Sequence, residues 1–405
     1  MPLQSFTVQR YRAFRERTKI ELRPLTLLFG YNSAGKSALL RLLPLLRDSL
    51  IDGGDPLFLG SEATRGASFS DLLSRLHPTP VLGIELASED VSSKYEIRYL
   101  ADQRRQVLER VVRSQGGVER SLHWTTNGSR YELRAAKNVL GELEPVIEGL
   151  SITGDASSLG QSTWDVPGAA ELESMQWVDA LRARVQRRTP FGPRPSGSLA
   201  ADGRQAPAAF AYARIDESPV YDSVCAFYRE HLGHEIAVAP VGDDFRIVIA
   251  PVSAPLVEID LIDTGEGLGQ VLPVAVALAT ATHSDGPSLL ALEQPELHLH
   301  PRLHEQLARW ICRSVEGAKG PRVIMETHSE NILLTVLLSI IEGHIGVDDV
   351  VVYWVHQLDD GQSLADRVTF DELARPQGLW PPDVFQEDAA LAARLNRMRL
   401  ERMGR

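Results

Sequence analysis

The sequence lacks the features of several protein classes. Its 405 residues include only two cysteines, Cys225 and Cys312, which are far apart and match no metal-binding spacing. We therefore predict two reduced thiols rather than a disulfide framework. No apolar run reaches the roughly 18 residues that a membrane-spanning helix needs. The first residues, MPLQSFTVQRYRAF, are too polar for a signal peptide, so we expect a cytoplasmic protein without a membrane partner.

An excess of positive charge is also missing. Lysine and arginine number 42 against 54 acidic residues, a net charge of −12. This is the wrong sign for a protein that binds nucleic acid over its whole surface, so any DNA contact would need a local basic strip. Two segments are candidates, with solvated loops or faces as the alternative. They contain Arg10, Arg12, Arg15, Arg17 and Lys19 in the first, and Arg182, Arg184, Arg187, Arg188 and Arg194 in the second.

A phosphate-binding loop is the strongest pattern present. Leu25–Phe29 is a short apolar segment typical of a strand, and a leucine-rich helical pattern starts at Ala38. Between them the sequence matches G-x-x-x-x-G-K-[ST], whose backbone N–H groups surround phosphates. Its lysine contacts the β- and γ-phosphates, and its hydroxyl contacts Mg²⁺. The loop residues are Gly30, Tyr31, Asn32, Ser33, Ala34, Gly35, Lys36 and Ser37.

The middle of the chain predicts antiparallel strands followed by helices. Residues 81–135 alternate with period two, and Asn127–Gly128 is a hairpin turn signal. Residues 169–188 have helical spacing, which predicts one apolar face. That face contains Leu172, Met175, Val178, Leu181 and Val185. A Pro/Gly/Ser-rich loop follows, then a helix over 218–233 and strands over 235–263. No heptad pattern persists, so we expect no long coiled-coil arm.

A glycine-dense segment precedes a second apolar helix. In DTGEGLGQ, Gly265, Gly267 and Gly269 allow close approach of another molecule, and the helix start behind them offers N–H donors to an anion. The alternative is a turn between a strand and a helix that binds no ligand. Because the chain has a single phosphate-binding loop, we expect this second segment to contact the nucleotide of a dimer partner.

Two further apolar segments end in polar residues. ALEQPELHLHP, from Ala291 to Pro301, is typical of a buried strand that ends in acids, except that Gln294 cannot accept a proton. Val323–Met325 is a similar segment that ends in Glu326-Thr327-His328-Ser329. Open α/β sheets bind ligands at the carboxyl edge of their strands. We therefore predict that His328 is functional.

These motifs, in this order, resemble the heads of ATP-binding-cassette-type ATPases. The sequence is most similar to the small bacterial AAA-type ATPases related to the ATPase half of overcoming-lysogenization-defect nucleases, without their coiled-coil arm or nuclease domain. FTVQRYRAFRERTKIELRPLTLLFGYNSAGKS and the later GLWPPDVFQED carry part of this similarity. It implies an α/β P-loop NTPase fold with an ABC-ATPase-like head, a mixed central sheet, an antiparallel β-meander and a helical lobe.

The expected organisation has three parts. Residues 1–145 form an N-terminal P-loop lobe with antiparallel strands. Residues 146–235 form a helical lobe and an Arg/Pro/Gly-rich connection. Residues 236–405 form a C-terminal lobe with the signature-like loop, the Walker B strand and the switch histidine.

The resemblance also implies roles for single residues. Gly30–Ser37 is Walker A, and Gly265–Gln270 is the signature position that contacts the partner's γ-phosphate. Glu293 takes the Walker B acid position and holds magnesium with Ser37. Gln294 takes the position of the catalytic glutamate, and His328 that of the switch histidine. His298 and His300 lie in the loop that meets the partner subunit.

A glutamine at the catalytic position predicts a slow enzyme. Gln294 can orient water by hydrogen bonds, and orientation with charge stabilisation carries much of phosphoryl transfer. Glu296 or His328 would accept the proton. We expect a slow ATPase with ATP and Mg²⁺, dimerising around ATP or forming a higher homo-oligomer. It would act as a sensor or motor subunit on DNA in phage defence or DNA maintenance, with a separate effector such as a nuclease. The alternative is a hydrolysis-deficient ATP-binding scaffold.

Overall fold

The computed structural model describes residues 1–126, 128–136, 138–154, 159–160, 163–194, 199–283, 286, 288–317 and 320–380. Asn127 of the predicted hairpin turn and residues 381–388 of the segment GLWPPDVFQED lie outside the described residues. Cys225 and Cys312 are free thiols. Within the described part of the chain, no helix is long and apolar enough to cross a membrane.

The described strands, in chain order, are β1 (Ser5–Gln9), β2 (Thr18–Glu21), β3 (Leu25–Gly30), β4 (Val81–Ala87), β5 (Val91–Leu100), β6 (Arg105–Gln115), β7 (Val118–Trp124), β8 (Tyr131–Ala135), β9 (Asn138–Leu143), β10 (Val146–Glu148), β11 (Ser151–Thr153), β12 (Thr163–Trp164), β13 (Gln176–Val178), β14 (Thr189–Pro190), β15 (His234–Val241), β16 (Asp244–Pro251), β17 (Ile259–Asp260), β18 (Leu289–Glu293), β19 (Arg322–Thr327), β20 (Val350–Gln357), β21 (Ser363–Phe370) and β22 (Pro376–Gln377).

The described helices are α1 (Lys36–Asp52), α2 (Phe69–Leu72), α3 (Ala169–Glu173), α4 (Ala206–Ile215), α5 (Pro219–Leu232), α6 (Glu266–Gln270), α7 (Leu272–Ala281), α8 (Pro301–Ser314) and α9 (Glu330–Ile341). Short 3₁₀ turns occur at Glu62–Thr64, Leu261–Asp263 and Val347–Asp349.

A seven-stranded mixed sheet positions the functional residues. Its strand order is β13-β18-β19-β3-β20-β21-β22, and the pairs from β13 to β20 are parallel. Every residue of β3 is buried, as expected for a central strand that is covered on both faces. Strand β3 lies between two strands from the C-terminal part of the chain. The phosphate-binding loop that follows β3 is therefore adjacent to residues that end β19.

The predicted antiparallel meander is confirmed. Strands β4 to β9 pair consecutively in an eight-stranded sheet of order β2-β1-β4-β5-β6-β7-β8-β9. Its apolar face, helix α1 and one face of the central sheet form one hydrophobic cluster, and the other face of the central sheet belongs to a second cluster. Along β18, Leu289 and Ala291 lie in the first cluster and Leu290 and Leu292 in the second. Strand alternation then places Glu293 on the side of α1.

The helix predicted over residues 169–188 is wrong. Helix α3 ends at Glu173, and Gln176–Val178 is instead strand β13, which pairs in parallel with β18. Trp177, which is not on the predicted apolar face, is buried there, whereas Leu181, which is on that face, is 68% exposed. Pairing at the edge of the sheet outweighed the helical periodicity. In the predicted helical lobe, residues 146–235, the first half contains mainly strands and the second half contains helices α4 and α5. The division of the chain into three parts stays a prediction.

Most of the remaining predictions of helices and strands agree with the structure, but of the strand predicted over 256–263 only β17 (Ile259–Asp260) forms, and a 3₁₀ turn follows it. Helix α5 matches the helix predicted over 218–233, and β15 and β16 form an antiparallel pair. The glycine-dense segment is the short helix α6, which leads into the apolar helix α7. Helix α7 is buried along nearly its whole length, and it therefore forms the core between the sheet and the helices α4 and α5.

Candidate functional site

The phosphate-binding loop has backbone conformations that its glycines permit. Gly30 and Gly35 have φ of 149° and 102°, in the region that residues with a side chain rarely adopt. A Cβ on Gly30 would lie 2.0 Å from the carbonyl oxygen of Val355. Helix α1 starts at Lys36, and its N-cap, Gly35, makes no side-chain capping bond. The first N–H groups of a long helix therefore point into the space beside the loop, which suits an anion.

Lys36 and His328 meet at one carbonyl group. Lys36 Nζ donates to the oxygens of Gly30 and Tyr31 at 2.9 and 2.6 Å, and His328 Nδ1 donates to Gly30 at 3.0 Å. Burial lowers the pKa of Lys36 to about 8, opposed by Glu326 and Glu296. Burial and the Lys36 charge likewise lower the pKa of His328. A partly desolvated cation and a neutral imidazole result, both suited to contact a phosphate.

One open cleft of about 300 Å³ includes five residues of the predicted phosphate-binding loop. It includes Gln294 and His328 from the ends of two other strands, as the carboxyl edge of a parallel sheet requires. The lining residues are Arg12, Ala13, Asn32, Ser33, Gly35, Lys36, Ser37, Ala38, Gln294, Glu326 and His328. Arg12 and Glu326 were not predicted for this site. The sequence predicts Arg12 in a basic segment that could contact DNA, and it shows Glu326 only as a residue near the predicted switch histidine.

Gln294 has a strained and firmly held backbone. Its φ is 41°, its N–H donates to the carbonyl of Glu326 at 2.9 Å, and its side-chain amide lies 3.4 Å from Glu326 Oε1. Arg182, which is buried, donates to the carbonyls of Glu293, Gln294 and Leu297 from 3.2 to 3.5 Å. A left-handed non-glycine residue that its neighbours hold in place is typical of functional sites.

Glu326 is a buried carboxylate that faces the cleft. It is 2% exposed, and its Oε2 has no hydrogen-bond partner. The His328 Nε2 atom lies 3.9 Å from its Oε1. Strand β19 separates the P-loop strand β3 from β18, so Glu326 lies between the loop and Gln294. The family resemblance implies no role for Glu326, although this acid stands directly before Thr327-His328 in the sequence.

Glu296 does not line the cleft. Its Oε1 accepts hydrogen bonds from Thr327 Oγ1 at 2.6 Å and from the His328 backbone N–H at 3.2 Å. Burial raises the pKa of Glu296, which these hydrogen bonds partly offset. In this arrangement Glu296 fixes the turn that carries His328. Proton transfer from water to Glu296 stays a prediction that these contacts do not favour.

Glu293 does not line the cleft either, although its neighbour Gln294 does. Arg41 on α1 donates to both of its carboxylate oxygens, at 2.8 and 2.5 Å, and Trp177 Nε1 donates to Oε1 at 3.0 Å. The carboxylate is 1% exposed. Burial raises the pKa of Glu293, and the bonds from Arg41 act in the opposite direction. The predicted magnesium role of Glu293 would require this ion pair to open or to act through water.

The signature-like segment forms a separate site. Gly265, Gly269 and Gln270 line a second cavity of about 150 Å³, which shares no residue with the P-loop cleft. Gly267 instead faces the neighbouring loop, where an added Cβ would lie 2.5 Å from the carbonyl oxygen of His298. His298 is exposed, and His300 accepts a hydrogen bond from the Arg302 N–H as the N-cap of α8.

The residues at the cleft fit a magnesium ion that a nucleotide brings with it. Ser37 provides a hydroxyl in the cleft, at the start of α1. The described residues include no cluster of three or more His, Cys, Asp or Glu that could hold a metal alone. Mg²⁺ takes few protein ligands when phosphates and water supply the others. Ser37 is therefore the cleft residue that would hold the ion together with the phosphates.

Most arginines of the two predicted basic strips have partners within the chain. Arg182 is buried, Arg12 lines the cleft, and Arg10 donates to the carbonyl of Val81. Most of the others pair with acids of the same chain. These pairs are Arg15–Glu16, Arg17–Glu85, Arg184–Glu266, Arg187–Asp263 and Arg194–Asp216. Apart from Arg15–Glu16, the partners come from other segments of the chain, so the spacing of charges in the sequence could not show them.

Parts of this chain are similar to known proteins in sequence or in fold. A family model described as "AAA domain, putative AbiEii toxin, Type IV TA system" matches residues 238–334. This segment contains Gly265–Gln270, Glu293, Gln294 and His328, but not the phosphate-binding loop. No curated protein matches the chain. The more specific resemblance to overcoming-lysogenization-defect ATPases stays a prediction.

Among solved structures, the SMC head domain from Thermotoga maritima is similar to this chain, with 12% identity and a TM-score of 0.43. The alignment covers 90% of this chain and 98% of that one. A second is the Smc head domain from Pyrococcus furiosus, with an extended coiled coil, bound to the C-terminal domain of ScpA. It has 12% identity and a TM-score of 0.46, with 91% and 96% covered. The α/β fold with a P-loop, predicted from the sequence, is confirmed by the sheet order and by helix α1.

Proposed function

We propose that the protein binds ATP with Mg²⁺ at the P-loop cleft and hydrolyses it slowly. One observation carries this proposal. Lys36 and Ser37, at the start of α1, share one cleft with Gln294, Glu326 and His328 from two neighbouring strand ends. The match of an AAA-type family model to the segment of the last three residues supports it.

The cleft residues divide the work of binding and orientation. The first N–H groups of α1 and the ammonium group of Lys36 would bind the phosphates, and Ser37 would hold Mg²⁺. The metal, when bound, neutralises charge on the phosphates. Gln294, with its backbone held by Arg182, would orient the attacking water through its amide. His328, anchored to the loop carbonyl of Gly30, would respond to the γ-phosphate.

We further propose that two copies associate around ATP. The segment Gly265–Gln270 lines its own cavity and contributes nothing to the P-loop cleft of its own chain. A nucleotide held in the partner's cleft would give this segment a ligand. Two identical chains that each offer a cleft and a signature-like segment form a closed pair with two-fold symmetry.

The cellular role rests on the resemblance noted in the sequence. A sensor or motor subunit in phage defence or DNA maintenance, in the cytoplasm and with a separate effector such as a nuclease, is the role we propose. A direct DNA contact has weaker support, because most of the predicted arginines pair with acids. A gel-shift series with saturating ATP and low salt tests it, and no binding at about 50 mM salt would remove DNA from the proposal.

ATP binding is tested by Lys36→Ala. Loss of the cation that contacts the phosphates should weaken ATP binding at least tenfold, about 1.4 kcal/mol, in calorimetry. The control is Lys19→Ala, which removes an exposed lysine of β2 and should bind like the wild type. Equal affinity of both variants would contradict the assignment of the P-loop.

Association is tested by light scattering with a slowly hydrolysed ATP analogue. The wild type should change from monomer to dimer when the analogue is added, and Lys36→Ala should not. A monomer at every protein concentration, with and without nucleotide, would refute the proposed pair.

The scaffold alternative is tested by turnover at saturating ATP. A slow enzyme should hydrolyse ATP measurably, and Gln294→Ala should lower the rate because the water loses its anchor. Gln294→Glu should raise the rate or leave it unchanged. A wild type without turnover, restored by Gln294→Glu, would favour the hydrolysis-deficient scaffold.

A further inference from the structure

We propose that Glu326 accepts the proton of the attacking water, a task that Gln294 cannot perform. The catalytic carboxylate would thus lie on β19, one strand away from the position where the family resemblance expects it. This inference rests on the proposed ATP hydrolysis and adds the residue that completes it.

The sheet places Glu326 beside Gln294 and on the correct face. In the parallel pair β18–β19, Glu326 lies opposite Glu293 in the register, one residue before the position of Gln294 in β18. Ile324, two residues earlier on β19, lies in the cluster that includes α1. Strand alternation therefore directs Glu326 to the side of the sheet where α1 and the P-loop lie. The cleft confirms this direction, because Glu326 lines it together with Lys36 and Ser37.

The carboxylate is held at one oxygen and unpaired at the other. The Gln294 amide nitrogen lies 3.4 Å from Oε1, and Oε2 has no partner although the residue is 2% exposed. A buried carboxylate oxygen without a hydrogen bond is costly, and such groups persist where a ligand or water completes them. Gln294 can then hold the water through its amide oxygen, while Glu326 Oε2 takes the proton.

The other nearby acids differ from Glu326 in their position. Both oxygens of Glu293 accept hydrogen bonds from Arg41, and Trp177 donates to one of them. Glu296 Oε1 accepts from the Thr327 hydroxyl and the His328 N–H, and its Oε2, like that of Glu326, has no partner. Neither acid lines the P-loop cleft. Among the described residues that line it, Glu326 is the carboxylate.

The proposed step is an ordinary hydrolysis. The water oxygen forms a bond to the γ-phosphorus, and the bond from this phosphorus to the bridging oxygen breaks with its electron pair leaving on ADP. The water proton moves to Glu326 Oε2. It is released to solvent after phosphate has left, which returns the carboxylate to its starting state.

The test combines Glu326→Gln with a compensating change. Glu326→Gln keeps size and polarity, so ATP affinity should stay within about threefold, while kcat should fall about 100-fold or more, as for loss of a general base. The double variant Glu326→Gln/Gln294→Glu restores a carboxylate on the neighbouring strand and should recover at least tenfold of that loss. Glu119→Gln, an exposed glutamate of β7, is the matched control and should leave kcat unchanged.

The division of the effect between kcat and KM separates proton acceptance from a structural role. Glu326→Gln should lower kcat while the KM for ATP and the midpoint of urea unfolding stay close to those of the wild type. Unchanged kcat in Glu326→Gln would overturn the inference alone. So would a loss of kcat that the double variant does not recover. A wild type that binds ATP without any turnover would instead overturn the proposed hydrolysis itself.

Discussion

The ion pair between Glu293 and Arg41 allows a test of what this acid does in the protein. The family resemblance implies that Glu293 holds magnesium, so that Glu293→Ala should abolish magnesium-dependent turnover. In the structure, the carboxylate is 1% exposed and Arg41 is 11% exposed, and two hydrogen bonds of 2.8 and 2.5 Å join them. Glu293→Ala would remove the hydrogen-bond acceptors of Arg41 and of the Trp177 N–H, and Asp179, 3.8 Å from Arg41, would compensate the remaining charge only in part.

The size of the effect follows from burial. Breaking a buried ion pair by removing one partner costs about 3–5 kcal/mol, because the remaining charge is uncompensated. We expect Glu293→Ala and Arg41→Met each to lower the free energy of unfolding by about 3 kcal/mol or more. The double variant should be no worse than either single one, since no charge is then left unpaired. The coupling energy of the cycle should reach about 2–3 kcal/mol.

The assay is urea unfolding followed by tryptophan fluorescence and circular dichroism, with the four proteins compared in a double-mutant cycle. The matched control is the pair Arg98–Glu109, also joined by two hydrogen bonds, at 2.9 and 2.7 Å, but with side chains 35% and 33% exposed. We expect a coupling of about 0.5 kcal/mol there.

A coupling below about 0.5 kcal/mol at Glu293–Arg41 would refute the reasoning from burial. If Glu293→Ala then kept its stability but lost magnesium-dependent turnover, the metal role derived from the sequence would be correct. Loss of stability with a large coupling energy would show that Glu293 stabilises α1 against the sheet.

Three further outcomes are expected. Without nucleotide, Lys36 has a pKa of about 8, and phosphates beside it favour its charged form. The affinity for ATP should therefore be constant near pH 7.5 and fall up to tenfold per pH unit above 8. Calorimetry at constant free Mg²⁺ checks this, and the same fall in Lys36→Ala would contradict it. Gly267→Ala would place a methyl group against the His298 carbonyl, so it should weaken ATP-dependent dimerisation in light scattering and leave ATP binding to the monomer unchanged. An equal loss of dimerisation and of ATP binding would count against a separate signature site. Arg182→Met removes the hydrogen bonds to three carbonyls of the turn after β18, so it should cost about 1–3 kcal/mol of stability in urea unfolding and slow turnover. Wild-type stability and rate would show that the turn at Gln294 does not depend on Arg182.

Much of the fold could be predicted from local patterns. The phosphate-binding loop follows from fixed positions in one short segment, between an apolar strand and a leucine-rich helix, and β3 and α1 have the expected places. The meander strands follow from period-two alternation. In these cases the preference of the segment and the packing of the whole molecule agree, so sequence periodicity is sufficient.

The failures have a common physical cause. Residues 176–178 have helical spacing in the sequence but form β13, because an edge of the sheet was available for pairing and Trp177 could be buried against Glu293. Arg182 was predicted on a DNA-facing strip, but carbonyls of the Glu293–Leu297 turn surround it. The partners in both cases come from more than one hundred positions away along the chain, and no local pattern contains them.

By itself, the sequence determined the types of residue at the site: a lysine and serine in the loop, a glutamine where a proton acceptor is expected, and a histidine after a second strand. Only the tertiary structure decided which acid faces the cleft. Side chains along a strand alternate between faces, and neighbouring strands fix which residues meet. That geometry binds Glu293 to Arg41 and leaves Glu326 facing Gln294 with one oxygen unpaired.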